Sequence, residues 1–221
     1  MTKARSPRYG PGWSDNWRRN DFAGFSSCEP DRDSIIAAMT DFHLRSAAEV
    51  IRNGGLVAYP TEAVYGLGCD PRNEQAVERL LRLKGRSVKQ GLILLAADVE
   101  QLRDWMDLDE TQRNWLAEQW PSARTWLVTP SEMVPRWITG EHDRVAVRVS
   151  AHPVARTLAE YAGTPIVSTS ANRSGEPAAR NRFQVGRRLG AGVDFIVTGE
   201  CDPAARPSTI IDLESGRVVR E

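Results

Sequence analysis

Ala162-Gly163-Thr164-Pro165-Ile166-Val167-Ser168-Thr169-Ser170-Ala171-Asn172 joins a helix end, a buried strand and a polar strand end in one short stretch. Gly163 stops a helix that runs to Tyr161 and opens at Pro153, where a first-turn proline forfeits no helical hydrogen bond. The apolar pair Ile166-Val167 begins a strand over Ile166–Thr169. Hydroxyls and an amide then gather at its carboxyl end, the usual ligand crevice of an open α/β sheet. Such a cluster either binds a ligand or satisfies itself through local side-chain to backbone bonds.

Working outward, the same alternation recurs. Leu44, Ala47, Ala48 and Ile51 have amphipathic helical spacing behind the capping pair Thr40-Asp41, and Asn53-Gly54-Gly55 ends that helix. Strand Leu56–Tyr59 stops at Pro60. Asn73 caps a helix whose apolar face is Ala76, Val77, Leu80, Leu81 and Leu83, closed by Gly85. Strand Leu92–Leu95, a helical stretch over Val99–Trp120 interrupted near Leu108, and strands Thr125–Val128 and Val145–Val149 follow. Downstream come a helix over Phe183–Leu189 and strands Phe195–Val197 and Thr209–Ile211. Helices alternating with short strands define an α/β domain, expected from residue 39 to 221. Residues 1–38, rich in Gly, Pro, Ser, Asn, Arg and Trp without periodicity, read as a disordered or irregular N-terminal extension. It is either a natural tail or sequence upstream of a true start at Met39.

A chain of 221 residues with 41% hydrophobic content suits one domain. Lys plus Arg and Asp plus Glu both number 29, so no global charge draws the chain to nucleic acid or membrane and recognition must be local. Cys28, Cys69 and Cys201 are too few and scattered for a disulfide framework or a paired-cysteine zinc site. With no long apolar run and no signal-peptide pattern, the expected location is the cytoplasm, without a membrane partner.

Five segments carry chemistry. Tyr59-Pro-Thr-Glu-Ala-Val-Tyr-Gly-Leu-Gly68 is a strand end followed by a hydroxyl, a carboxylate and two glycines, a loop that lets backbone N–H groups approach a ligand, or else a tight turn. It is neither a dinucleotide fingerprint nor a P-loop. Lys84-Gly-Arg86 presents two cations at a helix end, with Arg79, Arg82 and Lys89 nearby; the helix dipole alone accounts for one such cation, whereas the concentration suits polyphosphate or RNA. Arg148, inside Val145-Ala-Val-Arg-Val149, is a cation among valines and needs an anion, either a buried carboxylate or a substrate group. Ser168–Gly175 extends the polar strand end through Arg173-Ser174-Gly175. Pro207-Ser-Thr-Ile-Ile-Asp212 with Gly216-Arg-Val-Val-Arg220 forms a hairpin returning an arginine. His43, His142 and His152 are isolated and read as surface or capping residues. Asp98, Glu100, Asp104, Asp107, Asp109 and Glu110 read as a solvated acidic face, and no metal ligands are assigned.

Taken in order, Ala58-Tyr-Pro-Thr-Glu-Ala-Val-Tyr-Gly-Leu-Gly68, Lys84-x-Arg86, Val145-Ala-Val-Arg-Val149, Ser168-Thr-Ser-Ala-Asn-x-Ser-Gly175 and Pro207-Ser-Thr209 resemble the YrdC-type threonylcarbamoyl-AMP synthase family. Ala63 and Leu95 resemble its short, single-domain bacterial branch, while Gln90-Gly91 and Ser122-Ala123-Arg124-Thr125 depart from the common pattern. The resemblance implies a YrdC-like α/β domain, a twisted mixed sheet with flanking helices and a concave cationic site. It implies condensation of L-threonine, bicarbonate and ATP to threonylcarbamoyl adenylate and diphosphate, for threonylcarbamoyladenosine modification of tRNA. ATP is then a substrate accompanied by Mg²⁺. Lys84, Arg86 and Arg148 are the implied catalytic groups; Arg86, Gln90, Arg144, Asn172 and Arg220 line the ATP side; Thr61, Arg148, Ser170 and Ser208 face threonine. Implied partners are tRNA or double-stranded RNA and a downstream threonylcarbamoyl transferase complex. The rival readings are a non-catalytic double-stranded RNA-binding module of the same fold and a related enzyme adenylating carbamoyl phosphate.

Overall fold

The computed structural model describes residues 32–220, with side chains from Thr40 onward. The described elements are helix α1 (Arg32–Arg52), strands β1 (Val57–Pro60) and β2 (Tyr65–Gly68), α2 (Glu74–Lys84), β3 (Ile93–Ala96), α3 (Glu110–Gln119) and β4 (Arg124–Val128). A short α4 (Arg136–Thr139), β5 (Val145–Val149), α5 (Pro153–Ala162), β6 (Ile166–Ser170), α6 (Arg182–Leu189), β7 (Phe195–Ile196), β8 (Thr209–Asp212) and β9 (Val218–Arg220) follow. All the strands join one mixed sheet in the order β7-β1-β2-β6-β3-β5-β4-β8-β9. Pairs β1/β7, β3/β5 and β4/β8 are parallel, and the other neighbours are antiparallel.

Local chemistry explains the elements that the sequence announces. The Asn73 side chain accepts from Ala76 N at the start of α2, and Gly85 closes that helix at φ +60. Gly85 N donates to Arg82 O and Arg86 N to Leu81 O, the paired bonds of a glycine-terminated helix, so Arg86 leaves the helix in a set direction. The helical stretch after Val99 does break near Leu108: a 3₁₀ segment spans Glu100–Trp105, and Asp109 with Gln112 forms a capping box that starts α3. Asp109 is thus a cap and Asp98 accepts from Gln101 N, so this acidic run is partly structural.

Two expectations change. Thr40 and Asp41 do not cap a helix but lie inside α1, which crosses the boundary read at Met39; Asp41 instead pairs with Arg45 at 2.7 Å and accepts from the Tyr161 hydroxyl. The remainder of the N-terminal extension, residues 1–31, lies outside the described residues. Tyr65–Gly68 is not a loop but strand β2, antiparallel to both β1 and β6. Its glycines make room for protein. A Cβ on Gly68 would fall 2.3 Å from Val167 O and 3.0 Å from the Tyr59 ring, and one on Gly66 would meet that ring at 3.0 Å. The Tyr59 side chain therefore lies across β2 where any side chain would block it.

The two sheet faces have different fates. Leu67, Leu94, Trp126, Val147 and Val167 point to the larger core, shared with Ala76, Val77, Leu80 and Leu81 of α2, Leu116 of α3 and Val185 of α6. On the opposite face, α1 and α5 pack together over Val57, Tyr59, Leu95 and Ile166 through Leu44, Ala47, Ala48, Ile51, Ala155, Leu158, Ala159 and Ala162. They cover only part of that face; the rest is open. No helix of the described residues is long and apolar enough to cross a membrane.

Candidate active site

A cavity of about 1320 Å³ occupies the uncovered part of the sheet. Its floor follows the period of two: Gly66 of β2, Ser168 and Ser170 of β6, Ile93 of β3, Ala146 and Arg148 of β5, Leu127 of β4, Ile210 and Asp212 of β8. The site is therefore on a sheet face, not in a crevice beyond the strand ends as the polar end of β6 suggested. Its walls are the β1–β2 turn, the Arg86–Leu92 segment, the loop after β6 and the β8–β9 hairpin.

Nine of the ten residues expected at the site line this cavity: Thr61, Arg86, Gln90, Arg144, Arg148, Ser170, Asn172, Ser208 and Arg220. Lys84 does not, and the expectation that it faces phosphate needs correction. It is only 3% exposed, and its ammonium donates to Ser170 O, to Asn172 O at 2.9 Å and to Asn172 Oδ1 at 3.2 Å. All three hydrogens are spent on the polar segment that forms the cavity wall. Ser174 N returns a bond to Lys84 O at 2.7 Å, tying the loop to the end of α2. Burial, and then the Arg86 charge, lower the Lys84 pKa to about 8.

The polar segment is ordered by its own bonds as well. Ser170 Oγ donates to Asn172 Oδ1 at 2.6 Å, and Asn172 Nδ2 donates to Arg173 O and Glu176 O at 2.9 and 2.7 Å. The cluster is therefore locally satisfied, and it also faces the cavity. Across from it, Thr61 Oγ1 donates to Val64 O at 2.7 Å and shapes the β1–β2 turn.

That turn holds Glu62, whose importance the sequence reading did not assign. Arg148 donates to Glu62 Oε2 at 2.6 Å, while Glu62 Oε1 accepts from Ser150 Oγ and Ala151 N, both at 2.9 Å. The buried arginine has thus found a carboxylate inside the protein. Burial works to raise the Glu62 pKa, but the Arg148 charge and the hydrogen bonds outweigh it and hold the carboxyl below its usual value.

Arg86 and Arg220 differ. Arg86 donates to Gly91 O at 2.7 Å, and Arg220 to Ser208 O at 3.3 Å, both neutral carbonyls. Among the described residues neither has an ion-pair partner. Burial, then Arg220, lowers the Arg86 pKa; burial, then Arg148, lowers that of Arg220. Arg86 is partly buried and Arg220 exposed at the cavity edge, and each feels the positive charge of another arginine, an arrangement in which an anionic ligand would relieve the repulsion. Arg144 is instead bound to the β8–β9 turn, donating to Glu214 and to Thr129 Oγ1, the latter at 2.6 Å, with Asp212 at 3.8 Å. Arg206 and Arg217 complete six lining arginines against the carboxylates Glu62, Asp143, Glu176 and Asp212, an imbalance that favours anionic ligands. His142 is exposed and also lines the cavity, so it belongs to the site's rim.

No group of three His, Cys, Asp or Glu side chains among the described residues could hold a metal ion. Glu62 is committed to Arg148, and Asp212 Oδ1 accepts from Ser215 N and Oγ at 2.8 and 2.6 Å.

The fold is that of a mixed α/β domain with a twisted open sheet, and its cavity is lined by arginines and hydroxyls. The Sua5/yciO/yrdC family model, described as "Telomere recombination", matches residues 49–221, and the chain belongs to that family. A protein of Xanthomonas euvesicatoria pv. vesicatoria (strain 85-10) named threonylcarbamoyl-AMP synthase is 48% identical over 187 residues, covering 83% of this chain and 100% of its own length. The crystal structure of P. abyssi Sua5 complexed with L-threonine superposes with a TM-score of 0.72 at 40% identity, over 78% of this chain and 51% of that one; the chain spans about half the length of that protein. E. coli YciO has a TM-score of 0.72 at 28% identity, over 82% of this chain and 89% of its own.

Proposed function

We propose that the chain is a threonylcarbamoyl-AMP synthase, an enzyme using ATP and L-threonine. The observation that carries this reading is the pair Arg86 and Arg220, cavity-lining cations with no carboxylate partner among the described residues, beside the hydroxyls of Thr61, Ser168, Ser170 and Ser208. Relatives bearing that name at 45–48% identity support it, as does the threonine held by P. abyssi Sua5.

In this reading threonine and bicarbonate combine to an N-carboxy amino acid with loss of water. Its carboxylate attacks the α-phosphate of ATP, forming the mixed anhydride as the bond to the β-phosphate breaks and diphosphate departs. Every reactant is anionic, so alignment and charge stabilisation do most of the work. Arg86 and Arg220 hold the phosphates, with Gln90, Arg144 and Asn172 beside them. Arg148, oriented by Glu62, meets the threonine-derived group together with Thr61, Ser170 and Ser208. Lys84 holds the wall that carries Ser170 and Asn172. Mg²⁺ accompanying ATP would be held by the nucleotide's phosphates rather than by Glu62 or Asp212, which are engaged within the protein, and would supply neutralisation of phosphate charge. The labile product then passes to a threonylcarbamoyl transferase acting on tRNA.

The test is diphosphate release from ATP, Mg²⁺ and bicarbonate with and without threonine. Threonine-dependent release is expected. Identical traces, accompanied by salt-sensitive binding of double-stranded RNA, would replace the synthase with the RNA-binding module.

A further inference from the structure

Among the described residues the Ser208 hydroxyl has one hydrogen-bond partner, the Thr125 hydroxyl at 2.9 Å, and the bond between them can run either way. Thr125 lies on β4, on the same sheet face as Leu127 of the cavity floor, and Ser208 stands just before β8, which runs parallel to β4. Thr125 is fully enclosed. Ser208, though only 6% exposed, lines the cavity.

Satisfaction of buried polar groups decides the direction. Were Ser208 to donate to Thr125, the Thr125 hydrogen would have no acceptor, since among the described residues no other hydrogen bond reaches that hydroxyl. An enclosed donor without an acceptor is costly. Were Thr125 to donate, its hydrogen would be satisfied and the Ser208 hydrogen freed toward the cavity. We infer that Thr125 is a positioning residue that fixes Ser208 as a hydrogen-bond donor toward an anionic group of the threonine substrate. The pair also selects charge: a hydroxyl held as donor meets a carboxylate well and an ammonium badly.

This assignment rests on the placement of Ser208 beside threonine in the proposed synthase reaction. Steady-state diphosphate release, measured against threonine and against ATP, tests it. Thr125→Val, nearly equal in shape, is expected to raise the threonine KM about five- to tenfold with the ATP KM unchanged. Thr125→Ser, which keeps the hydroxyl, should behave as the parent. In a Ser208→Ala background, adding Thr125→Val should change nothing further, because the group it orients is gone. If valine is not accommodated, Thr125→Ala is the second variant, with the same threonine-specific effect expected. An unchanged threonine KM, an equal rise for both substrates, or a full Thr125→Val effect without Ser208 would overturn the inference. A parent enzyme with no threonine-dependent release would instead overturn the synthase reading itself.

Discussion

Glu62 and Arg148 face each other across 2.6 Å in the cavity wall, their side chains 17% and 8% exposed. A pair this enclosed adds little beyond an apolar pair of the same shape, but removing one partner strands a charge. Glu62→Gln is expected to lower unfolding free energy by about 3 kcal/mol. Glu62→Gln with Arg148→Met should recover most of that loss in urea denaturation while remaining inactive. Because the Glu62 pKa is lowered in the fold, its stabilising contribution is complete above the ordinary value of 4.5 and is lost as pH falls through the lower folded value.

Arg86 and Arg220 predict the opposite pattern. Each is a cavity-lining cation near another cation, with no carboxylate partner among the described residues. Arg86→Ala and Arg220→Ala should leave thermal stability unchanged or raised, yet reduce diphosphate release by about 10² to 10³. Diphosphate at about a hundred times its dissociation constant should add about 2.7 kcal/mol to the parent's stability, and that increment should vanish in either variant. Loss of stability without loss of the diphosphate effect would remove both arginines from the phosphate site.

What could be read in advance was mostly what short-range chemistry dictates. Asn73 and Gly85 announce the two ends of α2 because a cap and a left-handed glycine act within one turn. Strand β2 was hidden because Tyr65-Gly-Leu-Gly68 has loop composition, and only pairing with β1 and β6 makes it a strand. Arg148's need for an anion was legible; that Glu62 supplies one was not, since the partners lie on separate elements. The site's place on a sheet face follows from α1 and α5 covering only part of it, a tertiary fact. Lys84 looked available because a helix-end lysine normally reaches solvent, whereas here the loop after β6 folds over it.

Gly68 offers a test of that hidden strand. Its missing side chain lets Val167 O and the Tyr59 ring approach, and a methyl there cannot avoid a carbonyl at 2.3 Å without separating β2 from β6. Gly68→Ala should cost about 3 kcal/mol or more in chemical denaturation. Gly175, at φ +82 with open space around its Cβ position, is the control; Gly175→Ala should cost about 1 kcal/mol, the strain of a left-handed alanine. Equal effects would mean that conformation, not space, accounts for the glycine at 68.

Lys84 should make stability and activity move in opposite directions at alkaline pH. Its pKa falls from 10.5 to about 8 in the fold, through burial first and the Arg86 charge second. Between those values the unfolded chain holds the proton and the folded one has released it, so this group's contribution to stability rises with pH, by at most about 3 kcal/mol. The ammonium's three hydrogens, however, hold Ser170 and Asn172, and a neutral amine keeps two. The cavity wall should therefore loosen and kcat fall as pH passes about 8, while the urea midpoint contribution climbs. Lys84→Met removes both effects: kcat should be low throughout, and the alkaline rise in stability should disappear relative to the parent. Measuring kcat and urea midpoints for both proteins from about pH 7 to about pH 10 separates the two trends. A parent and a methionine variant with the same alkaline profile would show that Lys84 does not govern the wall.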